Sequence, residues 1–119
     1  SCPAMAASLD AGRPIEVPEE PSLADSLGGG IGLENRHTFD MTKRYLDECV
    51  LVGEDDIAAG IRFAYEAEGE VIEGAAAVGI AALLNGLVKP AGPTAIVLTG
   101  KNIAPDLHRR IINGETPKV

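Results

Sequence analysis

The sequence predicts an α/β chain with a largely parallel sheet, and three observations carry that prediction. Short β-branched or apolar runs recur at Arg13–Val17, Cys49–Val52 and Thr94–Leu98. Helical stretches separate them, the alternation expected of strand–helix–strand units. Between the last two runs lies Glu70–Leu84 (EVIEGAAAVGIAALL), almost wholly small and apolar, with one carboxylate, Glu73, where a helix should begin. A helix this poor in polar residues has no outer face and is buried on most sides.

Composition sets the core and excludes some partners. Aromatic residues are 3% of the chain and Trp is absent, so Ala, Val, Ile and Leu must build the interior. A formal net charge of −8 argues against nucleic acid or an anionic membrane as partner, since both require a basic face. Cys2 and Cys49 form neither a metal-ligand spacing nor a disulfide framework, which favours a reducing compartment. The start of the sequence shows no basic segment followed by an apolar run. The longest apolar stretch, Gly74–Leu84, is short of the roughly 20 residues that span a bilayer. A cytoplasmic chain is expected. It opens without Met and within a helical pattern, which suggests a portion of something longer.

Each element has its local reason. Ala4, Met5, Ala7, Ser8 and Leu9 form a first helix stopped by Gly12 and Pro14. Ser22 is an N-cap candidate for the short SLADSL turn, with Asp25 at the capping-box position. Gly28–Gly32 (GGGIG) then offers positive φ and bare backbone. It fails as a dinucleotide fingerprint, because Leu33 stands where the last glycine would be and no strand precedes it. The loop is either a flexible turn or a ligand contact.

A helix over Thr38–Glu48 places Phe39, Met41, Tyr45 and Leu46 inward. Cys49–Val52 reads as a buried strand, with Cys49 a small core residue. Gly53 and the carboxylates Glu54, Asp55 and Asp56 open the next helix at its positive end. It stops at Gly69. Thr94–Leu98, bounded by Pro93 and Gly100, is the best strand in the chain. A last helix begins near Pro105, packs through Leu107, Ile111 and Ile112, ends at Gly114 and leaves Glu115–Val119 frayed.

Chemistry is sparse by residue type alone. Thr99-Gly100-Lys101-Asn102 follows a strand end, where ligands bind in open α/β sheets, though a β-branched threonine there also serves as plain structure. Glu73 is either a carboxylate at a helix dipole or a buried charge in need of a partner. His37 and His108 stand alone and read as surface residues.

Three stretches in order, SLADSLGGGIG at 22–32, VIEGAAAVGIAALL at 71–84 and IVLTGKNI at 96–103, resemble the C-terminal part of the serine/threonine dehydratases. These are pyridoxal-phosphate enzymes of fold type II, the tryptophan-synthase-β type. The segment DECVLVGEDDIAAGIRFAYE resembles the family's strand, acidic turn and helix. LADSLGGGIGLENR and IEGAAAVG are most similar to the hydroxyectoine-utilisation dehydratases. The resemblance covers residues 1–113 and implies that 1–119 is the C-terminal part of the parallel-sheet large domain that binds pyridoxal 5'-phosphate.

The same resemblance implies the site residues. Thr99 takes the place of a serine whose hydroxyl meets the pyridine nitrogen, with Gly100 beside it and Lys101 where relatives carry glycine. Glu73 falls near the pyridine edge. Ser26, where many relatives have glycine, and Gly28, Gly29 and Gly30 fall in the loop beside ring and substrate. No catalytic residue is assigned: Lys43, Lys89, Lys101 and Lys118 do not match the context of the Schiff-base lysine, which belongs to the N-terminal part with the phosphate-binding cup. A divalent cation, where the family uses one, would take a ligand at or before Ser1, so none is assigned here.

The implied activity is elimination of water from a β-hydroxy amino acid, giving a 2-oxo acid and ammonia, in a homo-oligomer. The chain alone would be inert without the N-terminal part. The rivals are an amino-acid racemase on the same scaffold and a non-catalytic binding or oligomerisation module.

Overall fold

The computed structural model describes residues 3–119. Ser1, at the edge of the expected cation ligand, and Cys2 lie outside the described residues. The chain divides into two units, residues up to Glu20 with Leu27–Leu51, and Pro21–Ser26 with Val52–Val119.

In the first unit, α1 (Ala4–Ala11) buries Ala4 and Ser8, one turn apart on one face. It stops where expected, at Gly12 in the left-handed region with φ 72°. Ser8 is buried because its hydroxyl accepts the Ile15 N–H at 3.0 Å, which turns the chain back along the helix. The second helix, α2 (His37–Tyr45), is shorter than expected and buries only Phe39. Met41, Tyr45 and Leu46 are exposed, a correction to their expected inward positions. Asn35 starts the helix: its side-chain oxygen accepts the Phe39 N–H at 2.9 Å and the Thr38 hydroxyl at 2.7 Å.

The second unit is built on α3 (Glu54–Glu68) and α4 (Gly74–Leu84). Asp56 accepts the Gly53 N–H at 3.2 Å, the reciprocal half of a capping box, and Gly69 ends α3 in the left-handed region. The core comprises Leu23 and Ala24, Ile57, Ala58, Ile61 and Ala64 of α3, Ile72, Ala75, Ala76, Ala77 and Ile80 of α4, and Ile111. As its composition requires, α4 is enclosed on several sides. A Cβ on Gly60 of α3 would stand 2.8 Å from the Ala77 carbonyl oxygen, so the two helices touch backbone to backbone. A Cβ on Gly74 would strike the Leu23 carbonyl, and Gly79 receives the Ile96 side chain.

The last helix, α5 (Pro105–Ile112), has Pro at its first position and packs Ile111 and Leu107 against the core, with Ile112 half-buried. Two expectations fail around it. His108 is buried, 7% exposed, with its ring edge-on to Tyr65 at 5.2 Å. Residues 115–119 are tied down: Arg62 of α3 donates to the Ile111 and Glu115 carbonyls, each at 3.2 Å, Arg110 pairs with Glu115 at 2.9 Å, and Pro117 is buried. A guanidinium reaching from a helix 53 residues earlier leaves no local trace in the tail's sequence.

The expected sheet is not formed among the described residues. Arg13–Val17, Cys49–Val52 and Thr94–Leu98 carry no strand ladder. A strand exists only by exchanging hydrogen bonds with a neighbour, and no described segment supplies one. Val97 is 78% exposed and Leu51 63% exposed, and Cys49 is exposed rather than in a core. Only Ile96 of the Thr94–Leu98 run packs inward, onto α4.

Two outcomes follow for stability. Helix propensity alone favours Gly60→Ala by about 0.8–1 kcal/mol. The closeness of Ala77 predicts the reverse, a loss of about 1–3 kcal/mol by overpacking, read from the urea midpoint of the chain. Arg62→Ala frees two carbonyls and should speed exchange of the Glu115 amide about tenfold, read by hydrogen exchange.

Candidate functional site

The site forms where three stretches of the second unit meet at the N-terminus of α4. The first is residues 21–26. Glu54, the opening residue of α3, accepts the Ser22 hydroxyl at 2.5 Å and the Leu23 N–H at 2.7 Å. Ser22 in turn accepts the Ala24 N–H at 3.1 Å. Asp25 accepts the Ser26 N–H at 2.7 Å, so it starts the short 3₁₀ turn Asp25–Leu27 instead of completing a capping box with Ser22. This anchoring brings the Leu23 carbonyl onto Gly74, a contact open only to glycine.

The second stretch is Glu70–Glu73, between the end of α3 and the start of α4. Ile72 is fully buried, which fixes its neighbours Val71 and Glu73 in place. Glu73 caps α4 with extended backbone and is half-buried. The third stretch is Thr99–Asn102. The Glu73 N–H donates to the Gly100 carbonyl at 3.2 Å, and the Asn102 N–H donates to Glu73 Oε2 at 3.2 Å. Gly100 lies so close to the Glu73 carboxylate that a Cβ there would overlap it. Lys101 Nζ pairs with Glu70 Oε2 at 2.6 Å.

Of the residues expected at the site, Glu73, Gly100 and Thr99 therefore come together. The Thr99 hydroxyl is exposed and makes no hydrogen bond among the described residues, which leaves both its donor and its acceptor capacity open. Ser26 is exposed and its hydroxyl turns to Asp25 at 3.3 Å. Gly28, Gly29 and Gly30 belong to the other unit. There Gly29 takes φ 95°, and added Cβ atoms at Gly29 and Gly30 would meet open space, the geometry of an exposed turn. Beside Glu73 opens a cleft of about 340 Å³ whose walls include Leu23, Asp25, Asn102, Ile103 and Leu107.

Sequence reasoning missed Glu54, Glu70 and the Asn102 amide. Glu54 carried a partial signal, as a carboxylate in the first turn of a helix, but its partners lie 31 and 32 residues away. The Glu70–Lys101 pair also spans 31 residues and follows no helical or strand spacing. No group of three His, Cys, Asp or Glu residues suited to a metal ion occurs among the described residues. Nor is any described helix long and apolar enough to cross a membrane.

Residues 1–100 match the family model described as pyridoxal-phosphate dependent enzyme. A Sinorhizobium fredii protein named for threonine dehydratase is 58% identical over 112 residues, 93% of this chain and 34% of that protein. An L-threonine ammonia-lyase of Thermotoga maritima is 43% identical over 111 residues, 93% of this chain and 27% of that enzyme. One from Geobacter sulfurreducens is 38% identical over 104 residues, 87% of this chain and 25% of that enzyme. The chain thus spans about a third or less of the length of these relatives. It belongs to the pyridoxal-phosphate dependent enzyme family.

Proposed function

We propose that residues 1–119 form the C-terminal part of the cofactor-binding large domain of a dehydratase that converts a β-hydroxy amino acid to a 2-oxo acid and ammonia. The observation that carries this reading is the docking of the Thr99–Asn102 turn on Glu73, which leaves the Thr99 hydroxyl unengaged beside bare Gly100 backbone. This donor set suits the ring-nitrogen edge of pyridoxal phosphate: a neutral hydroxyl for the nitrogen, on a turn whose Gly100 lets the Glu73 carboxylate lie against it. Family membership and the names of the relatives support the same reading.

When bound, pyridoxal phosphate supplies a conjugated ring that takes up the electron pair left as a Cα–H bond breaks. The chain's own residues would hold one edge of it. Thr99 offers a hydrogen bond without a charge, so it does not hold an extra proton on a ring nitrogen as a carboxylate would. That restraint favours loss of the β-hydroxyl over competing carbanion chemistry. Glu73, fixed by the Asn102 amide, would border the ring, with Gly100 and Ser26 beside it. None of these groups removes the Cα proton. Lys43, Lys89, Lys101 and Lys118 do not match the context of the lysine that carries the cofactor, so this reading assigns it to the N-terminal part of the enzyme.

Over the whole reaction the substrate loses its β-hydroxyl and amino group and gains a keto oxygen. Water leaves in the elimination and is taken up again in hydrolysis, so the products are one 2-oxo acid and one ammonia. The substrate is threonine- or serine-like, or hydroxyectoine-derived as the SLADSLGGGIGLENR and IEGAAAVG stretches suggest by resemblance.

Two measurements test this. The chain alone with pyridoxal phosphate should show no lysine-bound cofactor absorption and no release of 2-oxo acid from L-threonine. Grafted into the Sinorhizobium fredii relative in place of the matching segment, it should support turnover; turnover by the isolated chain overturns the reading. In that graft, Thr99→Ser should retain cofactor affinity. Thr99→Val, which keeps the shape and removes the hydroxyl, should weaken it by about 1 kcal/mol, roughly fivefold, by equilibrium titration.

A further inference from the structure

The Thr99–Asn102 turn follows a segment with no ladder to steady it, and between the packed Ile96 and Ile103 its polar ties are to Glu70–Glu73. That segment brings two carboxylates to the turn, Glu73 against its backbone and Glu70 against its one ammonium. Lys101 lies between Gly100, which abuts the Glu73 carboxylate, and Asn102, whose N–H donates to it. The lysine stem therefore starts beside Glu73, yet Nζ pairs with Glu70 at 2.6 Å. The amide, not the ammonium, holds Glu73.

We propose that Glu70 is a positioning residue that draws the Lys101 ammonium away from Glu73 and so keeps that carboxylate on the Asn102 amide. The pair does little for stability: its side chains are 69% and 43% exposed, and exposed pairs contribute little. Its effect is on which partner each charge takes. Without Glu70, the ammonium is left with Glu73, beside which its stem starts, and an ammonium–carboxylate pair competes with the Asn102 N–H for the same oxygens. Glu73 then turns off Asn102, and the turn that carries Thr99 loses one of its ties to α4. The role of Glu73 toward a cofactor rests on the function proposed above; the sorting of charges does not.

This reading makes the two partners unequal. In the full 119-residue chain, Glu70→Gln should speed hydrogen exchange of the Asn102 amide about tenfold, the scale of one hydrogen bond. Lys101→Gln should leave it near the original rate, because no ammonium remains to compete. The double variant should match Lys101→Gln, so removing the lysine rescues the loss of Glu70. A simple latch predicts instead that all three variants behave alike. Equal exchange rates across the three overturn the proposal. In the grafted enzyme, the same order should appear in the absorption of bound cofactor. The expected amide pattern with unchanged absorption keeps the sorting of charges and overturns only the placement of Glu73 at the cofactor.

Discussion

The second unit depends on the absence of side chains along α4. Its backbone meets α3 at Gly60, residues 22–24 at Gly74 and the Ile96 side chain at Gly79, each closer than an added Cβ allows. Such contacts gain dispersion at short range and forfeit nothing to side-chain entropy, since Ala and Gly have no rotamers to lose. They also leave no slack. A helix gripped this way cannot rotate or slide, so its first turn is a fixed reference point, and Glu73 sits on it. The rigidity of the site is thus inherited from packing of residues that have no chemistry of their own.

Two acidic residues extend that reference point to neighbouring stretches. Glu54 opens α3 and seizes the Ser22 hydroxyl and Leu23 amide, which brings residues 21–26 against α4. Glu73 opens α4 and takes the Asn102 amide, which brings the Thr99–Asn102 turn to the same end. In both cases a carboxylate that a helix N-terminus already favours also binds a backbone amide far away in sequence. A chain with a formal charge of −8 uses some of its carboxylates as tethers.

What was legible in the sequence is what one segment determines by itself. The small-residue run forced α4 to be buried whatever surrounded it, and Gly12, Gly53 and Gly69 marked helix ends through local backbone geometry. The Thr94–Leu98 run was legible only as a pattern: β-branched residues report the environment a segment suits, whereas a strand requires a second segment to pair with. The same limit explains Cys49, Met41 and Tyr45, whose apolar character does not say whether a partner surface is present. His108 and the tail failed for the opposite reason. Each is covered by Tyr65 or Arg62 from α3, and polar residue type alone suggested solvent.

The turn after Thr94–Leu98 shows how such nonlocal constraints bear on chemistry. A lysine beside Gly100 brings a positive charge on a long stem to the turn that also holds the Glu73 carboxylate. Left alone, that ammonium would compete with the Asn102 amide for Glu73, since it brings a full positive charge to the same carboxylate. Removing the charge is one remedy; supplying a second carboxylate three residues earlier is another, and Glu70 is that carboxylate. Glu70 therefore has a reason to be acidic that neither helix capping nor stability provides. The reason becomes visible only once 70–73 and 99–102 lie side by side. Lys101 is tolerated in this turn because its charge is answered at Glu70, which leaves the Glu73 carboxylate to the backbone.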